Sequence, residues 1–98
     1  MTNRKMHDRI LAHTRKLRLK YVVELNRGSP WISVHERGLG RDKGNAFFAQ
    51  GQDAARLIDE VDKMSEKFDV SIGAAFLFLL DSSGMAYTTH PNPIGPIS

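Results

Sequence analysis

The chain of 98 residues contains no cysteine and carries a formal net charge of +3 at pH 7. Its length predicts one small domain with a modest core. Without cysteine the chain has neither a disulfide framework nor a thiolate zinc site, and this composition favours a cytoplasmic location.

The charge is unevenly divided along the chain. Residues 1 to 43 carry eleven Lys or Arg against four acids, whereas residues 44 to 98 carry three against seven. Because the neutralisation of phosphates releases counterions, a basic half of this kind indicates a polyanionic partner. The alternative is that these bases only solvate a surface helix.

Residues 3 to 16 have the pattern of a basic amphipathic helix. Met6, Ile10, His13 and Leu17 follow one another at steps of four, three and four residues, as one face of a helix requires. We expect His13 to be a boundary core residue rather than a ligand. The cations lie off this apolar stripe and can face solvent: Arg4, Lys5, Arg9, Arg15 and Lys16.

Two alternating runs, residues 17 to 26 and 31 to 37, predict an antiparallel hairpin, with a third strand at residues 45 to 49. One face of these strands is apolar: Leu17, Leu19, Tyr21, Val23, Leu25, Ile32 and Val34. The opposite face is basic and aromatic: Arg18, Lys20, Trp31, His35 and Arg37. Cations around an indole suit a phosphate backbone with stacked bases.

A glycine-rich loop, residues 38 to 44, joins the second and third strands and carries Arg41 and Lys43. It lacks the Gly-Lys-Ser/Thr ending of a phosphate loop, and no βαβ unit surrounds it as a dinucleotide fingerprint requires. Two interpretations stay open, a flexible hairpin connection and a loop that contacts phosphates.

Residues 52 to 68 predict a second, amphipathic helix that covers the sheet, with an acidic polar face that includes Asp59, Asp62 and Glu66.

Residues 69 to 80 predict an apolar helix, with a buried strand as the alternative, and are too short to cross a membrane. So much apolar surface in a small domain predicts a homodimer through the second helix and residues 70 to 80. Residues 1 to 88 then form one domain, and residues 89 to 98 form a Pro-rich extended tail.

The sequence contains no pair of nucleophile and base, no cluster of metal ligands and no cofactor fingerprint at a recognisable spacing. We therefore expect a protein that is not an enzyme and has no catalytic, metal or cofactor site.

The stretch from Lys20 to Met64 resembles one repeat of the PUR family, the purine-rich-element binding proteins. It has Tyr-Val-Val-Glu-Leu-Asn-Arg (21 to 27), Trp-Ile-Ser-Val-His-Glu-Arg (31 to 37), a basic glycine-rich loop, a short strand with Ala-Gln-Gly (49 to 51) and an amphipathic helix. The resemblance covers about half of the chain and implies a curved antiparallel sheet, crossed by a helix, that binds single-stranded DNA or RNA. Two copies would assemble, because such repeats intertwine in pairs. The family has four strands before the helix, whereas three can be placed here, preceded by a basic helix.

These patterns predict an α+β fold with an N-terminal basic helix, a three-stranded antiparallel sheet, an amphipathic helix and an apolar C-terminal segment. A four-stranded sheet is the alternative. The expected function is non-catalytic binding of nucleic acid, preferably single-stranded, through seven residues: Arg18, Lys20, Trp31, His35, Arg37, Arg41 and Lys43. The alternative function is a small protein-binding module or inhibitor, of phage or plasmid accessory type, that acts on a larger nucleic-acid-handling protein.

Overall fold

The computed structural model describes residues 2–39 and 45–83. They form four helices and three strands: α1 (Thr2–His13), α2 (Arg15–Lys20), β1 (Tyr21–Asn26), β2 (Trp31–Glu36), β3 (Asn45–Gln50), α3 (Gly51–Phe68) and α4 (Ile72–Ser82). The predicted α+β fold is confirmed, with three strands in the sheet that these residues form. Arg41, Lys43 and the predicted tail at residues 89 to 98 lie outside the described residues.

The sheet is antiparallel, with strand order β1-β2-β3. In the β1–β2 hairpin Tyr21 lies opposite Glu36, and Asn26 lies opposite Trp31. Side chains alternate between two faces along each strand. The inner face, which packs against the helices, carries Ile32 and Val34, and both are fully buried.

Helix α4 lies at the centre of the core. Its buried residues are Ala74, Ala75, Phe76, Leu77, Phe78 and Leu80. The Ser71 side chain caps the helix, since its Oγ accepts the Ala74 N–H at 3.1 Å. The ring centroids of Phe76 and Phe47 on β3 are 5.6 Å apart, which places α4 on the inner face of the sheet. Of the two alternatives for this segment, the helix is confirmed.

This burial of α4 removes the observation on which the homodimer prediction rested. The apolar side chains at residues 74 to 78 are at most 8% exposed within one chain, so they present little apolar surface to a second copy. A homodimer through the second helix and residues 70 to 80 stays a prediction without that support.

Helix α3 covers the sheet beside α4 and confirms the amphipathic helix predicted at residues 52 to 68. Its buried residues Ala54, Ile58 and Val61 lie on one face. The helix ends at Asp69, which adopts the left-handed conformation with φ 56°. Helix α1 packs across this end, where the Nδ1–H of His7 donates to the carbonyl oxygens of Phe68 and Asp69, 3.0 Å away in each case.

Residues 17 to 20 are helical, so the prediction of a strand that begins at residue 17 is wrong. They belong to α2, and β1 begins at Tyr21. The Leu/Arg/Lys alternation satisfies a strand pattern, but these residue types also have high helix propensity. As a consequence, Leu19 is 72% exposed instead of lying in the core.

A bend at Thr14 separates α1 from α2. The Thr14 N–H and its Oγ1 both donate to the carbonyl oxygen of Ile10, at 3.0 and 2.8 Å. Such back-bonding by threonine bends helices without ending them. The chain therefore continues as a helix past residue 14 in a new direction.

Candidate functional site

Arg18, predicted on the outer face of a strand, lies in α2 and holds the bend at Thr14. Its Nε donates to Thr14 Oγ1 at 3.1 Å, and its Nη2 donates to the carbonyl oxygen of Leu11 at 2.9 Å. Both partners are uncharged. The guanidinium therefore fixes the angle between α1 and α2 and keeps its positive charge.

Arg37 follows β2 and caps the C-terminal end of α2. Its Nη2 donates to the carbonyl oxygens of Arg18 at 2.6 Å and Tyr21 at 3.3 Å, and its Nε donates to that of Leu19 at 3.2 Å. The last carbonyls of a helix have no partner within the helix and carry a partial negative charge. Arg37 thus satisfies carbonyls that would otherwise need water, and none of the described carboxylates forms an ion pair with it.

Lys20 and Trp31 lie at opposite ends of the hairpin. The Nζ of Lys20 is 5.3 Å from the ring centroid of Tyr21, at the end where Arg37 caps α2. Trp31 is half-buried and begins β2 opposite Asn26. At roughly 3.3 Å per strand residue, about 20 Å separates Trp31 from Arg37. The structure brings Arg18, Lys20 and Arg37 together and leaves Trp31 apart from them.

His35 is on the outer face of the sheet, as predicted, but it is 7% exposed and does not present a surface cation. Its Nε2 is 3.9 Å from Glu24 Oε1. Neither of its ring nitrogens has a hydrogen-bond partner among the described residues, and the same holds for the Oγ of fully buried Ser33. Unsatisfied buried polar groups are rare in folded proteins, and Ser33 and His35 place such groups at the centre of β2.

A groove of about 910 Å³ lies beside β1, between the α1–α2 bend and the start of α4. Its wall is apolar and includes Leu11, Leu19, Val23 and Leu77. Three guanidinium groups also line it: Arg15, Arg18 and Arg37. No sequence pattern predicts this groove, because its lining comes from four elements and depends on the helical conformation of residues 15 to 20.

The cations of the described residues fall into two classes. Four of them contact a carboxylate, at 2.7 to 3.8 Å: Arg4, Arg27, Arg56 and Lys63. Eight others contact no carboxylate within the described ranges: Lys5, Arg9, Arg15, Lys16, Arg18, Lys20, Arg37 and Lys67. Seven of the eight, all except Lys67, lie in the first half of the chain, so ion pairs among the described residues leave most of its positive charge in place.

No protein-family model, curated protein or solved structure matches this chain. The resemblance to a PUR repeat therefore stays a prediction that rests on the residues quoted above. No described helix combines the length and the apolar character needed to cross a membrane.

Proposed function

We propose that this protein binds nucleic acid, with a preference for single strands, and that it does so without catalysis. The observation that carries the proposal is the set of seven cations in the first half of the chain that contact no carboxylate among the described residues. Each unpaired Lys or Arg that contacts a phosphate releases condensed counterions, and this release supplies most of the sequence-independent affinity of such complexes. Contacts to phosphates carry no sequence information, so the sequence preference is weak.

Four of these cations form a line, which we call the cationic stripe: Lys5, Arg9, Lys16 and Lys20. Lys5 and Arg9 are one turn apart on α1, Lys16 and Lys20 are one turn apart on α2, and all four are exposed. The fifteen steps from Lys5 to Lys20 span at most about 22 Å at 1.5 Å per residue, because the bend at Thr14 shortens the line. That length matches roughly six stacked nucleotides at 3.4 Å each.

The preference for single strands rests on Trp31 and on the predicted loop cations. Unpaired bases can stack on an exposed part of the Trp31 indole, whereas a duplex keeps its base faces inside. A strand that reaches from Lys20 to Trp31 would span about six nucleotides, within the roughly 4–16 that small single-strand-binding folds cover. Arg41 and Lys43 remain the proposed loop contacts, and Arg18 and Arg37 contribute their charge to this surface.

The alternative function is a small protein-binding module or inhibitor, and the form of it in which the acidic face of α3 imitates nucleic acid has less support. On α3, Asp53 contacts Arg56 and Asp59 contacts Lys63, at 3.1 Å in both cases. Asp62 contacts Arg27 from the β1–β2 turn at 2.7 Å. Three of the five α3 carboxylates are compensated in this way, which weakens the negative field of this face, whereas Glu60 and Glu66 contact no cation among the described residues.

The test is fluorescence anisotropy of labelled single-stranded and duplex oligonucleotides across a range of salt concentrations. The triple variant Lys5→Gln, Arg9→Gln, Lys16→Gln should lower the slope of log K against log salt by about 2, because each lost phosphate contact removes about 0.7. The matched control is Arg56→Gln, Lys63→Gln, Lys67→Gln, which removes the same charge from α3 and should leave the slope almost unchanged. Equal losses in the two triple variants would mean that only net charge matters, and absence of binding to any oligonucleotide would refute the proposal.

A second set of anisotropy measurements tests the preference for single strands. Trp31→Ala should weaken single-strand binding by about 1–3 kcal/mol if one base stacks there, and should leave duplex binding unchanged. An equal loss for single strands and duplexes would contradict a stacking role.

A further inference from the structure

Strand β1 is an edge of the three-stranded sheet that the described residues form. The Arg37 N–H donates to the carbonyl oxygen of Lys20 at 2.8 Å, and these two residues continue the β1–β2 register. Hydrogen-bonded and non-hydrogen-bonded pairs alternate in an antiparallel ladder. Within the described residues, the N–H and C=O groups of Val23 and Leu25 therefore point away from β2 and are unpaired.

The groove described above lies along this same edge. Tyr21, Val22 and Val23 of β1 line it, together with the apolar wall. An exposed strand edge with an adjacent apolar groove is the geometry by which extended peptides add a strand to a sheet. Main-chain hydrogen bonds to the edge then supply affinity, and the groove receives alternate side chains of the peptide.

The charge of the groove determines what kind of peptide fits. The described residues of its lining include three guanidinium groups and no carboxylate. Arg37 is held beside the edge by its hydrogen bond to the Tyr21 carbonyl, and Arg15 contacts no carboxylate within the described ranges. Fixed guanidinium groups bind carboxylates through paired N–H donors.

The edge itself argues against nucleic acid as the occupant of this groove. Its carbonyl oxygens at Val23 and Leu25 would face phosphate oxygens, which cannot donate a hydrogen bond. A peptide backbone offers donors and acceptors in alternation and matches both groups. The cationic stripe also lies on a different side of the α1–α2 helices from the groove residues Leu11, Arg15 and Arg18, because their positions along the helix differ in phase.

We propose that the β1 edge binds an extended acidic peptide segment as a fourth strand, with its carboxylate on Arg15, Arg18 and Arg37. This interaction goes beyond nucleic-acid binding and does not depend on it. The partner is a protein that presents an extended segment with acidic and apolar residues in alternation.

The test uses a labelled peptide of alternating Val and Glu, with an alternating Val and Lys peptide for comparison. We expect saturable binding of the Val/Glu peptide and none of the Val/Lys peptide. Binding should change the amide NMR shifts of Val23 and Leu25 in the intact chain. No saturable binding up to about 1 mM would overturn the proposal, since affinities weaker than this amount to less than about 4 kcal/mol. Shifts confined to the cationic stripe would also overturn it.

Val23→Pro is the variant that isolates the edge. Proline removes an N–H that the fold does not use, and edge strands tolerate it on their open side. Peptide affinity should fall about tenfold, the equivalent of one hydrogen bond. Val23→Ala is the matched control, because it shortens the side chain and keeps the N–H, and it should retain binding. Equal affinity in the proline and alanine variants would refute strand addition.

Arg15→Gln tests the charge, with Arg56→Gln as the control of equal charge. Arg15→Gln should weaken peptide binding several-fold, and Arg56→Gln should not. Equal losses of peptide affinity in the two variants would refute a specific guanidinium site. If sedimentation shows instead a dimer that Val23→Pro dissociates, the edge belongs to a second copy of the chain and the peptide proposal fails.

Discussion

Helix α3 and the end of helix α2 use their arginines in different ways. In α3, Arg56 and Lys63 contact carboxylates one turn away, and the stability of this region comes from apolar burial around α4. In α2 and just after β2, Arg18 and Arg37 instead contact backbone carbonyls. A carbonyl satisfies the hydrogen bonds of a guanidinium without cancelling its charge. One arginine can therefore stabilise the fold and still contribute to a positive surface.

The largest effect is expected in the apolar half. Phe76 is fully buried and contacts Phe47. Phe76→Ala should lower the free energy of unfolding by about 3–5 kcal/mol, through lost burial and the cavity left behind, as measured by urea denaturation. The control is Phe48→Ala on the outer face of the sheet, where the half-buried ring should cost clearly less. Equal costs would contradict a core centred on α4.

The next effect concerns the end of α2. Arg37→Ala removes two hydrogen bonds to the last carbonyls of α2 and one to the Tyr21 carbonyl, and we expect the free energy of unfolding to fall by about 1–2 kcal/mol, since these bonds are individually modest. Hydrogen exchange of the Tyr21 amide, which donates to the Leu17 carbonyl, should accelerate. Arg37→Lys keeps the charge but loses the planar set of donors, so it should recover little of this stability. Full recovery by lysine would show that charge alone stabilises the helix end.

The comparison also explains which parts of the fold the sequence predicts. The α3 helix and the hairpin of β1 and β2 follow from long periodic patterns, whereas the apolar run in residues 69 to 80 fits either a helix or a buried strand. The run of residues 17 to 20 is too short for the periodicity of its apolar residues to distinguish a helix from a strand. Their conformation depends on Thr14 and on Arg37, and the carbonyls that Arg37 contacts lie 16 to 19 residues away in the chain. No local pattern contains that information.

The candidate site was predictable only in part, for a similar reason. An alternating pattern places His35 on the outer face of the sheet but does not tell whether that face is exposed, and His35 is buried. Charge counts identify the basic half, but they do not separate cations that contact carboxylates from those that contact carbonyls or solvent. The groove beside β1 requires the three-dimensional arrangement of α1, α2, β1 and α4.

The smallest effect is expected at Arg27, which contacts Asp62 across 2.7 Å. This hydrogen bond and the charge of Asp62 raise the pKa of Arg27 above its ordinary value. Because the pKa is raised in the folded state, the pair contributes stability at every pH below the pKa of a free arginine. This stability is lost only in strong alkali, so no pH dependence arises near neutrality. Both side chains are largely exposed, and solvent and salt screen the pair.

Arg27→Gln should therefore shift the urea midpoint less than Arg37→Gln, although both changes remove one guanidinium. The small shift at Arg27 should vanish in about 1 M salt, where the screening length is only about 3 Å, whereas the Arg37 effect should persist because its partners are carbonyls at a helix end. Asp62→Asn should reproduce the Arg27 result. A larger effect at Arg27 than at Arg37 would reverse the comparison, because ion pairing would then contribute more to this fold than the satisfaction of helix carbonyls.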